Sequence, residues 1–166
     1  MNKISIAHII NPFTVNEDSD LFVAQPVTFE TMRAAKEAAA KDVEVELFAA
    51  FFPEDEKIVS AYFTKTTPLK RSILNIGKFK SKRKLPLLKD ILDRLYEKSD
   101  ADYFIYTNVD IALTPGFYTE IEKIIAKGVD GFVINRRTIS NTYTRVEDIP
   151  KMIAEAKKGD KHPGYD

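Results

Sequence analysis

Apolar positions along the chain fall into short blocks whose period changes from one to the next. Residues 3–10, KISIAHII, form a compact run rich in β-branched side chains, stopped by Asn11-Pro12. A run of that length before a turn signal predicts a buried strand. The stretch to Leu21 is acidic and polar and reads as a loop. Thr28 stands where a helix N-cap is wanted. A helix over 29–41 follows, with Phe29, Met32 and alanines at 34, 35, 38, 39 and 40. Residues 43–51, VEVELFAAF, alternate and then become wholly apolar, as a strand entering a core does. Pro53-Glu54-Asp55-Glu56 ends it, and residues 57–63 fit strand or helix equally.

Residues 68–84 are basic, contain Gly77 and predict irregular loop. Pro86 suits a first helical turn, and Leu88, Ile91, Leu92 and Leu95 recur at i, i+3, i+4 and i+7, so 86–98 reads as an amphipathic helix. DYFIYT at 102–107 predicts a third strand. A helix over 116–127 follows, closed by Gly128, then a fourth strand at 130–135, DGFVIN. Asp148 can cap a last helix over 149–158, and the terminal KKGDKHPGYD shows no clear element. The order is β-α-β, a basic region, then α-β-α-β-α. Such alternation predicts one α/β domain over 1–166, with a mainly parallel sheet and helices on both faces. Ligands of such sheets sit beyond the carboxyl ends of the strands. Those ends carry Asn11, then Glu54 to Glu56, then Asn108 and Asp110, then Asn135 to Arg137, all polar or charged.

Composition narrows the picture. With 44% hydrophobic residues the 166-residue chain can bury a core, and with no cysteine it has neither disulfides nor a thiol nucleophile. No stretch approaches the roughly 18 apolar residues of a membrane helix. The amino terminus shows no cleavage signature, so a soluble cytoplasmic protein is the expectation. Net charge is zero, but its distribution is uneven. Residues 1–56 hold 11 acids and 4 bases, residues 57–89 ten bases and no acid, and residues 90–166 14 acids and 11 bases. The basic block suits phosphate groups of a nucleotide or of nucleic acid, or it is a solvated loop balanced by the acidic first third. Nucleic acid fits less well, since only Phe79 interrupts KFKSKRK and stacking needs more aromatics.

Asn108-Val109-Asp110 offers two oxygen ligands two residues apart, on one side of an extended backbone. Mg²⁺ or Mn²⁺ prefers such ligands and shares them with substrate phosphates; the alternative is a turn shaped by those side chains. Asp55 suits a ribose hydroxyl or base edge, or simply a loop. His8, inside the first strand, reads as packed and hydrogen-bonded. His162 and Asp166, in the terminal loop, suit a metal ligand and an acid or base, or a plain tail. No GxGxxG follows the first strand, and no GxxxxGK[ST] occurs, against a dinucleotide oxidoreductase and a P-loop nucleotidase.

Three segments carry a resemblance: ISIAHIINPF, VEVELFAAFFPEDE, and KLPLLKDILDRLYEKSDADYFIYTNVDIAL with the TPGFYTEIEKII that follows. Over roughly residues 3–137 the chain resembles the nucleotide-sugar-binding half of GT-A fold glycosyltransferases of the family-two-like group, a Rossmann-like fold. Asn108-Val109-Asp110 stands where that family has D-x-D, with Asn in the first place. The resemblance implies a nucleotide-diphosphate sugar as donor and an unknown acceptor. It implies Asn11 and Pro12 in the nucleotide pocket, Asp55 at the base or ribose, and Asp110 with Asn108 on a divalent metal. Lys78, Arg83 or Arg136 would neutralise phosphate, His162 would be a third metal ligand and Asp166 the base. The family's second, acceptor-binding half is expected where HPGYD ends the sequence, so a truncated or non-catalytic member is also an expectation. A non-catalytic α/β binding module using the same sheet edge is the alternative.

Overall fold

The computed structural model describes residues 3–80 and 82–165, with side chains as far as Lys161. Strand β1 (Ile4–Ile10) is the centre of the molecule. It pairs in parallel with β2 (Val43–Ala49) on one side and with β4 (Tyr103–Tyr106) on the other. The two-residue β3 (Thr64–Lys65) extends the sheet beyond β2, also in parallel, giving the order β3-β2-β1-β4. Residues at both faces of β1 are buried because the sheet is covered on both sides, and this is why KISIAHII is almost continuously apolar.

The faces follow the strand period of two. Ile6 and Ile10 of β1, with Val43, Val45, Leu47 and Ala49 of β2, meet helices α1 (Asp20–Ala39) and α3 (Phe117–Ile125). Helix α1 contributes Met32, Ala35 and Ala39, and the small alanines let it lie close to the sheet. Ala7, Ile9 and Phe48 face the other way, onto Ile91 and Leu95 of α2 (Leu88–Lys98). The mainly parallel sheet with helices on both faces is therefore present.

Three features differ from the sequence expectation. Helix α1 begins at Asp20, not after Thr28. Ser19 is the cap, its hydroxyl accepting from the Leu21 amide at 3.3 Å, and the helix runs through Pro26. Thr28 is then a buried position inside the helix, and the loop expected up to Leu21 is two residues shorter. The fourth parallel strand is Thr64–Lys65, just past the ambiguous 57–63 stretch, and not DGFVIN. Residues 131–134 form no strand, and Phe132, Val133 and Ile134 are exposed. Only β5 (Asn135–Arg137) pairs, antiparallel, with β6 (Lys161–Tyr165), across α4 (Ile149–Ala156). The terminal segment thus has an element after all, and Arg136 lies within a small separate sheet rather than at the end of a parallel strand.

Candidate functional site at the carboxyl ends of the parallel strands

The sheet order reverses at β1: the chain steps outward through β2 and β3, then returns to the far side of β1 as β4. The region beyond the carboxyl ends of β1 and β4 is the switch point of the sheet. Two loops flank it, residues 11–14 and residues 107–111.

The first loop is held by three side chains from three elements. Asn11 donates from Nδ2 to the Ala50 carbonyl at 2.8 Å. Gln25 of α1 clamps Phe13, accepting from its amide at 3.0 Å and donating to its carbonyl at 2.9 Å. Asp55, 6% exposed in the short 3-10 turn Pro53–Ile58, accepts from the Thr14 amide at 2.8 Å. Asn11, through Nδ2, and Asp55, through Oδ1, therefore fix the shape of this rim by bonding protein backbone. Pro12 lies beside them and is buried. Gln25 drew no notice in the sequence because a lone Gln between the expected loop and the expected helix gives no periodic signal.

The second loop stands on a buried polar cluster. His8 is fully buried, with Nδ1 2.8 Å from the Tyr118 hydroxyl and Nε2 2.8 Å from the Thr107 hydroxyl. Its ring stacks on Phe117 at 6.0 Å. Burial lowers the imidazole pKa to about 3, so the ring is neutral, and burial likewise pushes the Tyr118 phenol well up. His8 is the packed residue the sequence suggested. Its two bonds tie β1 to the end of β4 and to α3. Thr31 of α1 adds a further tie, accepting from the Leu113 amide at 3.1 Å.

On this base the chain turns. The Ile111 amide donates to the Asn108 carbonyl at 3.3 Å, so residues 108–111 form a turn and not the extended stretch expected. Val109 is buried at its centre, while Asn108 and Asp110 are exposed on either side of it. The Asn108 side-chain oxygen accepts from the Tyr106 hydroxyl at 3.0 Å. Among the described residues Asp110 shows no hydrogen bond or ion pair. The turn reading of these two residues is thus present in the structure, and it leaves the Asp110 carboxylate facing solvent at the switch point.

The basic segment rises from the same end of the sheet on the β2 side. The Leu69 amide donates to the Phe51 carbonyl at 2.8 Å. A loop then closes at its base through the Ile73 amide to the Leu85 carbonyl at 2.9 Å and a bridge between Ser72 and Pro86. Among the described residues, four of its ten cations are in ion pairs: Lys65 with Glu56, Arg71 with Asp90, Lys84 with Glu54, and Lys89 with Asp93. Lys84 also lies over the Phe52 ring at 4.0 Å, which moors the loop to the acidic turn. Hydrogen bonding from Lys84 holds the Glu54 carboxyl below its ordinary range, and Arg71 does the same for Asp90. Lys78, Lys80, Lys82 and Arg83 extend from the tip and are exposed.

Arg136 lies half-buried in β5. His162 falls in β6 with its side chain outside the described residues, and Asp166 lies outside them altogether. Among the described residues no cluster of three His, Cys, Asp or Glu side chains is spaced to hold a metal ion, and Asp110 is the one carboxylate of the Asn108–Asp110 turn. Two surface hollows, of about 390 and 380 Å³, lie along α1 and β2 and include none of the candidate residues. No described helix is long and apolar enough to cross a membrane. Comparison with known proteins yields no match, whether to a family model, a curated protein or a solved structure.

Proposed function

We propose that the chain binds a nucleotide-diphosphate sugar at the β1–β4 switch point and transfers the sugar to an acceptor, as in the GT-A glycosyltransferases it resembles. The observation that carries this reading is the exposed Asn108–Asp110 turn, standing where the sheet order reverses and resting on a rigid buried cluster. Sites built on rigid elements hold their geometry better than sites on free loops.

The chemistry required is electrostatic. As the glycosidic bond breaks, the departing nucleotide diphosphate gathers negative charge, and cations close to it lower the barrier. Lys78 and Arg83, at the tip of the moored basic loop, and Arg136 would supply that charge. A divalent metal, Mn²⁺ or Mg²⁺, would take Asp110 as its protein carboxylate and most of its remaining ligands from the diphosphate. Asn11 and Asp55 act as positioning residues for the nucleotide loop. Asp166 remains the proposed base for the acceptor hydroxyl.

A ligand present at a hundredfold excess over its dissociation constant stabilises the native state by about 2.7 kcal/mol. For a chain of this size that raises Tm by about 5–10 °C. UDP, GDP or one of their sugars is expected to give such a shift with Mn²⁺. Asp110→Ala should remove it while leaving the Tm of the unliganded protein unchanged. No shift with any donor, or an equal shift in the Asp110→Ala protein, rejects the site. A second reading, binding without transfer, is favoured by Asn108, because an amide in the first D-x-D place is a weaker metal ligand than a carboxylate. A metal-independent shift without release of sugar from the donor selects that reading.

A further inference from the structure

The loop between Ser72 and Pro86 carries more than charge. Leu74, Ile76, Phe79 and Leu85 are 40%, 68%, 49% and 49% exposed. Soluble surfaces carry scattered apolar side chains, but here four large exposed ones fall within twelve residues of one loop. They are interleaved with Lys78, Lys80, Lys82 and Arg83, and the whole 57–89 stretch has no acid. The loop's construction keeps these side chains out of the core. Ser72 caps the short turn Ile73–Asn75 with a reciprocal capping box, and the Gly77 amide returns to the Ile73 carbonyl at 3.3 Å. The Lys84–Glu54 pair and the Lys84–Phe52 contact hold the loop base against the body.

We propose that this loop docks the protein on an anionic lipid surface. Ile76 and Phe79 would enter the boundary between headgroups and acyl chains, while Lys80 and Lys82 meet the lipid phosphates. Charge complementarity selects the partner, because a cationic tip free of carboxylates fits an anionic interface. The apolar residues narrow the choice. Three of the four are aliphatic, with no π-face for a base, so they suit acyl chains and not a single-stranded nucleic acid. Apolar insertion and electrostatic attraction act together on such surfaces, and neither alone gives firm attachment. This inference does not depend on the transferase reading.

Vesicle co-sedimentation of the full chain tests it, with phosphatidylcholine vesicles against vesicles containing about one-third phosphatidylserine. Partitioning onto the anionic vesicles is expected to exceed that onto the neutral ones by about tenfold or more and to fall as salt rises. The double variant Ile76→Ser, Phe79→Ser keeps the net charge and lies on exposed positions, so its circular dichroism and Tm should match the parent. Its partitioning should drop about tenfold at constant salt. Lys80→Ser with Lys82→Ser should weaken binding to anionic vesicles only. The proposal is overturned by absence of vesicle binding at physiological salt, or by equal binding of the double serine variant. Oligonucleotide binding that leaves vesicle binding undetectable overturns it as well, in favour of nucleic acid.

Discussion

At the residue scale the most informative side chain is His8. The ring joins β1, the end of β4 and α3, and both its nitrogens are engaged at 2.8 Å. Its folded pKa of about 3 lies far below the ordinary imidazole value of about 6.5. Above that ordinary value neither folded nor unfolded chain holds the proton, and the neutral ring's contribution is complete. Below it the unfolded chain takes up a proton that the folded chain refuses until about pH 3, so stability falls with pH across that interval. Fully developed, the slope is about 1.4 kcal/mol per pH unit. The paired carboxylates Glu30 and Asp90, whose pKa values are lowered by hydrogen bonds from Arg33 and Arg71, lose their contributions only below their ordinary values of 4.5 and 3.8. Among the described residues, the interval from pH 6 to pH 5 therefore belongs to His8. Urea unfolding should show a loss of about 1 kcal/mol across it in the parent protein and almost none in His8→Gln. Equal slopes in the two proteins would mean that the ring is protonated in the fold.

At the element scale the chain shows where local pattern is enough and where it is not. Strand β1, strand β2 and helix α2 are all legible, because each carries a period that only one structure satisfies. The amino-terminal half of α1 is not legible. Pro26 interrupts it, and a proline in a helix interior removes a hydrogen bond and crowds the preceding turn. The helix persists because Gln25, Val27 and Thr28 around it are buried, and tertiary contacts outweigh propensity. Pro26 itself is exposed. Pro26→Ala should thus restore a bond to the Phe22 carbonyl and raise stability by about 1–3 kcal/mol, measured by urea unfolding. A loss of stability instead would show that Pro26 is needed to aim Gln25 at Phe13. DGFVIN fails as a strand for the opposite reason. Its pattern is right, but a strand exists only with a partner, and the partner of 135–137 is Lys161–Tyr165. For the site, the polar character of the strand ends was legible, and the residues serving as girders were not. Asn11 and Asp55 are such girders: their types suit a ligand or the backbone equally, Asn11 meeting a carbonyl and Asp55 an amide, and only the neighbouring loops decide.

At the scale of the whole molecule, the sheet is assembled from two stretches of chain separated by the basic loop. Strands β1, β2 and β3 and helix α1 precede the loop, and α2, β4 and α3 follow it. The central ladder, Ile6–Ile9 with Tyr103–Tyr106, joins the two stretches, and so do His8 with Tyr118 and the packing of Ile91 and Leu95 on Ala7 and Ile9. Between Leu69 and Ile91 no hydrophobic side chain among the described residues is buried. The loop therefore contributes little to the core, and its exposed Lys78, Lys80, Lys82 and Arg83 are open to trypsin without unfolding of the sheet. Brief trypsin treatment should cut first between Lys78 and Lys84. The two products should leave a gel-filtration column together at the volume of the intact chain and separate only in denaturant. A cut chain that falls apart in buffer would show that loop closure, and not the β1–β4 ladder, holds the two stretches in one body. Equally rapid cutting within α1 or α2 would show that those helices open as readily as the loop, against the burial of Met32, Ala35, Ile91 and Leu95. A stable nicked protein also separates the two roles given to this segment. It keeps the Asn108–Asp110 turn on its buried base, so nucleotide binding that survives the cut rests on the switch point, while vesicle binding lost with the cut rests on the continuity of the loop.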